Sequence, residues 1–247
     1  MIRIISGGQT GADQVGLFAA KASGIPTGGV ACRDFMTVEG SMETRLKAFG
    51  LVDENLGYSA RTKRNVELSD VTLIFASNFN SSGTKLTIQY LKKSQKPFVK
   101  IPIPESGTWK KSDDVDPSVL KLCYDTLNRC KNATVNIAGN STLSGNDLLV
   151  PYIWKFLVTL FNILGYKITP MAIFETPTQF SLHIEDLAEK TQQTYLETIA
   201  EFCDENLVEY DDVVKMISPV LKQKIKEQSR VTYAMKKETT FSLDDTE

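Results

Sequence analysis

The sequence is short of histidine: His183 is the single one in 247 residues. It lies late in the chain, so no His-based nucleophile relay can be assembled among the motifs described below. Cysteine is scarce too. Cys32, Cys123, Cys130 and Cys203 make no CxxC pair and no Cys/His cluster, so no metal site is expected. The opening Met1-Ile2-Arg3-Ile4-Ile5-Ser6 lacks a charged-then-apolar leader, which gives the expectation of a reducing, cytoplasmic location with all four thiols free. Neither sign of charge dominates, with 28 basic against 30 acidic residues. No overall field draws in nucleic acid or an anionic membrane, and neither is expected as a partner.

Long apolar runs are missing as well. Residues 148–164 are the most apolar stretch, but they include Pro151, Lys155 and Asn162 and fall short of the ~20 residues a membrane span needs. A core helix is expected there, covered by the C-terminal region or by a second subunit; a homo-oligomer is therefore expected. Glycine is unevenly spread: nine of the fifteen lie in the first 50 residues and none follows Gly165. The composition predicts a domain over residues 1–165, a charged helical extension over 166–238, and a disordered acidic tail over 239–247.

What is present begins with Ile4-Ile5-Ser6-Gly7-Gly8-Gln9-Thr10-Gly11-Ala12-Asp13. A short β-branched run leads into a glycine loop, and residues 14–23 then follow a helical pattern ending before Gly24. Strand, glycine loop and helix N-terminus aim backbone N–H groups and a positive dipole end at one point, which suits a phosphate or another oxyanion. Gly7, Gly8 and Gly11 let the backbone come close, while Ser6, Thr10 and Gln9 offer further donors. The spacing is neither GxGxxG nor GxxxxGK[ST], so it names no cofactor, and the glycines alone also suit a tight turn. Asp13 either meets a ligand hydroxyl or caps the helix.

Further strands are expected at 27–31, 71–76, 98–101 and 134–138, with helices at 60–68, 85–93 and 117–130 between them. Residues 32–57 show little regular pattern beyond a helical turn or two at 42–49. Alternation of strand and helix predicts an α/β fold, a parallel sheet with helices on both faces. Ligands in such sheets bind beyond the strand C-termini, where the loops at 6–13, 77–84 and 139–141 would lie. Arg61 and Asn65, four apart, share one helix face. Arg61 suits a bidentate phosphate clamp, or a surface ion pair with Glu67 or Asp70. Ser82, Gly83 and Thr84 make a second oxyanion cradle with Thr87 one turn on, and Asn136 lines the opposite side. Glu39 and Glu43 are candidate bases without a spacing that demands it. After residue 184 two amphipathic helices are expected, at 184–205 and 211–229, the second kinked by Pro219.

The Ser-Gly-Gly-Gln-Thr-Gly-Ala-Asp loop, Arg61-Thr62-x-x-Asn65-Val66 and Ser82-Gly83-Thr84-x-x-Thr87 together resemble the proteins called "putative molybdenum carrier". These are Rossmann-like and related to the SLOG nucleotide-binding proteins grouped with the Lonely-guy phosphoribohydrolases. Gly24-Ile25-Pro26-x-Gly28-Gly29, Ser69-Asp70-x-Thr72-Leu73-Ile74 and Asn136-Ile137-Ala138-Gly139 extend the likeness over about residues 1–161. The resemblance implies a Rossmann-like fold with a nucleotide pocket. It also places Thr87 where the phosphoribohydrolases carry a glutamate, and a hydroxyl cannot supply that carboxylate's charge or basicity. The expected role is therefore binding of a phosphate-bearing nucleotide or nucleotide-derived cofactor, by sensing, carrying or sequestering it. The alternatives are a hydrolase or transferase acting on a glycosidic or phosphate bond, and an interaction or oligomerisation protein with a vestigial pocket.

Overall fold

Among the described residues eight strands run along the N-terminal part of the chain: β1 (Arg3–Ile5), β2 (Thr27–Ala31), β3 (Met36–Thr37), β4 (Gly40–Ser41), β5 (Leu51–Asp53), β6 (Val71–Ala76), β7 (Phe98–Pro102) and β8 (Thr134–Gly139). Six of them form one sheet in the order β5-β2-β1-β8-β6-β7, and each pairing in it is parallel. The helices are α1 (Ala12–Ala22), α2 (Glu43–Ala48), α3 (Tyr58–Leu68), α4 (Ser82–Lys93), α5 (Pro117–Arg129) and α6 (Leu149–Ile163). This computed structural model describes residues 1–110, 113–130, 132–169, 174 and 176–241. It divides into two units, Met1–Ile168 and Thr169–Glu247.

The two-residue period of β6 decides which helices lie on which face. Val71, Leu73 and Phe75 join a core with α1, α5 and α6 residues, among them Ala19, Leu127, Ile153 and Phe156. Ile74 points the other way and packs with Val66 of α3 and Ile88 and Leu91 of α4. The sheet is thus covered on both faces in a Rossmann-like arrangement. Within α6 the buried set Tyr152, Ile153, Phe156, Leu157, Leu160 and Phe161 recurs at helical spacing, so the apolar run of the sequence is a core helix. Among the described residues no helix is long and apolar enough to cross a membrane.

Residues 32–57 hold more order than expected. Leu51–Asp53 adds an edge strand beside β2, and the β3–β4 hairpin stands apart from the main sheet. Both are too short for a periodic signal. Ser82, Gly83 and Thr84, expected as loop, are the first turn of α4. Asn136 lies within β8.

The second unit contains helices Pro177–Thr191, Tyr195–Asn206, Tyr210–Met216 and Pro219–Phe241. The expected helix at 184–205 is two helices, parted where Gln192 takes a left-handed conformation and Thr194 opens a capping box with Glu197. Pro219 does not kink a helix but begins one, where its missing N–H removes no bond. Phe180 and Phe202 meet edge-on at 5.3 Å, and the His183 ring lies tilted against Phe174 at 5.1 Å. Thr239 to Phe241, expected in a disordered tail, are helical; residues 242–247 of that expected tail lie outside the described residues.

Gly139 fixes the end of β8. Its φ is 154°, and a Cβ there would sit 1.9 Å from the Phe75 carbonyl oxygen of β6. Gly139→Ala must therefore push β8 off β6, and a loss of about 3 kcal/mol is expected in chemical denaturation. A variant that unfolds at the wild-type denaturant concentration contradicts this packing.

Candidate functional site

A cavity of about 390 Å3 opens at the carboxyl ends of β1, β6 and β8, where the order of the sheet changes direction. The loop after β1, the tip of the β3–β4 hairpin, α3, the start of α4, and β8 with the loop after it all contribute to it. Gly7, Gln9, Thr10, Asp13, Arg61, Asn65, Ser82, Gly83, Thr84, Thr87 and Asn136 all line it. Of the residues expected from sequence, Ser6, Gly8 and Gly11 do not. Ser6 is fully buried and works inside the loop, accepting from the Gly8 amide and donating to the Asp13 carbonyl. Gly8 lies against Leu46 and Leu51, and Gly11 against the Asn140 carbonyl.

Four amides of the first loop are already engaged. The Gly8 amide goes to Ser6 Oγ, the Gln9 amide to Asp13 Oδ2, the Thr10 amide to Gln9 Oε1, and the Ala12 amide to the Asn140 carbonyl. The anion in this cradle is the protein's own Asp13 carboxylate. It also accepts from the Gly7 amide and from Arg61 Nη1 at 3.1 Å. The expected ligand cradle at this loop is thus filled from within, and Asp13 is neither a free acid nor a simple helix cap.

Arg61 is only 6% exposed, and it pairs with Asp13 rather than with a surface carboxylate. Glu67 meets Lys63 and Arg64, and Asp70 accepts from the Thr134 amide. The guanidinium lies over the Tyr58 ring at 4.8 Å and presses on Gly7, where a Cβ would fall 1.3 Å from Nη1. Arg61 Nε is buried with no acceptor among the described residues. Burial pushes the Asp13 carboxyl above its usual range, with the Arg61 charge and the Gln9 amide pulling the other way.

Asn65 shares Arg61's helix face as its spacing predicts, but its amide is used on backbone. It accepts from the Val30 amide at 2.9 Å and donates to the Val30 carbonyl at 2.8 Å, pinning α3 to β2. Thr87 Oγ1 donates back to the Gly83 carbonyl. Asn136 Nδ2 reaches Thr72 Oγ1 at 3.4 Å. Glu43 is in an exposed pair with Lys47, away from the cavity lining, and Glu39 accepts from Thr142 at the rim.

The start of α4 differs from the first loop. Its N-cap Ser81 makes no side-chain cap, so the amides of Ser82, Gly83 and Thr84, all residues that line the cavity, have no intrahelical or capping partner among the described residues. Asn140, expected only as part of the 139–141 loop, builds this end. Its Oδ1 accepts from the Ser77 amide at 2.9 Å, and its Nδ2 donates to Ser81 Oγ at 3.1 Å and Thr84 Oγ1 at 3.2 Å. Ser81 Oγ also donates to Thr84 Oγ1 at 3.0 Å. Thr84 thereby accepts twice and keeps its own proton for a further acceptor. Tyr58, Thr62, Ser141 and Ser144 complete the polar wall, and the Tyr58 hydroxyl approaches Gly83 so closely that a Cβ there would lie 2.5 Å from it. Among the described residues no group of three or more His, Cys, Asp or Glu side chains is placed to hold a metal ion.

Fold and cavity together define a Rossmann-like α/β domain with a polar pocket at the carboxyl end of its sheet. Within that class, the chain belongs to the family described as the circularly permutated YpsA SLOG family, whose model matches residues 4–155. A solved structure, titled as a "Putative molybdenum carrier protein" from Syntrophus aciditrophicus SB, is 27% identical with a TM-score of 0.53. That alignment covers 64% of this chain and 93% of that one. Residues 173–244 match a second family model, described as "Phage late-transcription coactivator". No curated protein matches.

The buried pair makes a stability prediction. Arg61→Ala leaves the Asp13 carboxylate without its counter-charge and is expected to lower stability by ~3 kcal/mol, with Asp13→Asn in the same chain restoring much of it. Because the folded chain holds the Asp13 proton more tightly than the unfolded one, this group favours folding at low pH and loses that effect as pH rises through its raised value. The melting temperature of Arg61→Ala should accordingly fall further below that of the double variant between about pH 4 and about pH 7. Equal differences at both ends contradict the assignment.

Proposed function

We propose that the first unit binds a phosphate-bearing nucleotide or nucleotide-derived ligand and holds it without turnover. The observation that carries this reading is the uncapped first turn of α4, whose residues Ser82, Gly83 and Thr84 line the cavity with unpartnered amides and whose Thr84 hydroxyl keeps its own proton. A helix N-terminus with free amides favours an anion through both its hydrogen bonds and its dipole. The phosphate sits there rather than in the first loop, where the Asp13 carboxylate would repel it. Membership of the SLOG family supports a nucleotide-related ligand.

Holding without turnover is supported by the state of Asp13 and Thr87, the two groups nearest such chemistry. Asp13 is engaged by Arg61 and by loop amides, and Thr87 turns its hydroxyl to its own helix. Neither is set to take a proton from an attacking water.

Denaturing the purified protein and identifying the released small molecules by mass spectrometry tests the ligand class, with a nucleotide expected. Gly83→Val, whose side chain would press on the Tyr58 hydroxyl beside the α4 amides, should weaken binding of that nucleotide at least tenfold in calorimetry, a loss of about 1.4 kcal/mol. Undiminished affinity contradicts the placement of the phosphate.

The match of residues 173–244 carries a second reading, for the other unit: its helices dock on a component of a transcription machinery. Leu182, Leu196, Val214 and Val220, all more than half exposed, are available on those helices for such a contact. The full-length chain is expected to co-elute with purified bacterial RNA polymerase in gel filtration; separate elution contradicts this reading.

A further inference from the structure

The rim of the cavity displays two large aliphatic side chains to water. Val38 is 42% exposed and Leu143 is 75% exposed, yet both line a cavity whose other walls are largely hydroxyl, amide and glycine. Val38 stands at the tip of the β3–β4 hairpin, and Leu143 in the 3-10 turn Thr142–Ser144 after β8. Polar bonds join the two segments: Thr142 Oγ1 donates to Glu39 Oε1 at 3.3 Å and shares a 2.9 Å bond with Thr10 Oγ1, while the Val38 amide donates to Gln9 Oε1 at 2.8 Å.

This construction fixes the backbone under both side chains while leaving much of their apolar surface open to water. We propose that Val38 and Leu143 form an aliphatic platform for a flat heterocyclic ring of the ligand, and that this contact, apart from the phosphate contact, selects which ligand is held. The proposal rests on the nucleotide reading and adds the ring and the residues that meet it. An alkyl chain would need a continuous apolar tunnel, which the polar wall does not provide. One ring face needs only a small apolar area with polar groups around its edge, and the neighbouring Thr10, Ser141 and Ser144 supply such an edge. Val38 is β-branched and stiff at χ1, so it loses little freedom when covered.

Calorimetry with two probes, AMP and ribose 5-phosphate, tests this on the full-length wild type and on Val38→Ser, Leu143→Ser and the double variant. Wild type is expected to bind AMP at least about tenfold more tightly than ribose 5-phosphate, and the double variant to lose about tenfold for AMP. Affinity for ribose 5-phosphate should stay unchanged, as should the melting temperature, since both positions are exposed. Equal wild-type affinity for the two probes overturns the platform while leaving the phosphate reading intact. Unchanged AMP binding in the double variant, or an equal loss for both probes, overturns it as well. Binding of neither probe to wild type overturns the nucleotide reading and the platform with it.

Discussion

The arrangement of this pocket depends on one buried ion pair, Arg61 with Asp13. A carboxylate placed among the amides of a glycine loop occupies the position that an external anion would take. Its negative charge is tolerable only because a guanidinium reaches it across the first loop, and that reach requires the absence of a side chain at Gly7. Breaking either side leaves an uncompensated charge in a site from which water is largely excluded, which is far more damaging than loss of a surface pair. On the proposed reading, the role of holding an anion therefore falls to the start of α4 rather than to this loop.

Asn140 is the second support. From one side chain it orders the turn after β6 and the hydroxyls of Ser81 and Thr84, and its carbonyl receives the first amide of α1. Three strand ends are thus held in register around one cavity without a metal-binding cluster among the described residues. Cys123, its thiol pKa pushed up to about 12 by burial, is an inert core thiol rather than part of this chemistry.

Much of the fold was legible in the sequence because buried parallel strands are apolar runs and helices carry a 3.6-residue period. Val71–Ala76, the α6 stretch and the Arg61/Asn65 face were readable for that reason. The edge strand Leu51–Asp53 and the β3–β4 hairpin were not, since two or three residues cannot show a period. In the pocket, residue type and spacing brought most of the lining into view, but not the pairing. A glycine loop with free amides and one filled by its own aspartate read alike, because the difference lies in Arg61, 48 residues downstream of Asp13. Asn140 was hidden likewise: nothing local distinguishes an asparagine in a loop from one whose amide joins three elements. The second unit was misread where Thr194-x-x-Glu197 and Pro219 each begin a new helix.

The most direct measurement is a crystal structure of the protein soaked with a nucleoside monophosphate. The account predicts phosphate oxygens within hydrogen-bond distance of the Ser82–Thr84 amides, with the Arg61–Asp13 bond intact. A phosphate seated instead in the Gly7–Gly11 loop, with Asp13 turned out and Arg61 on the ligand, would contradict it.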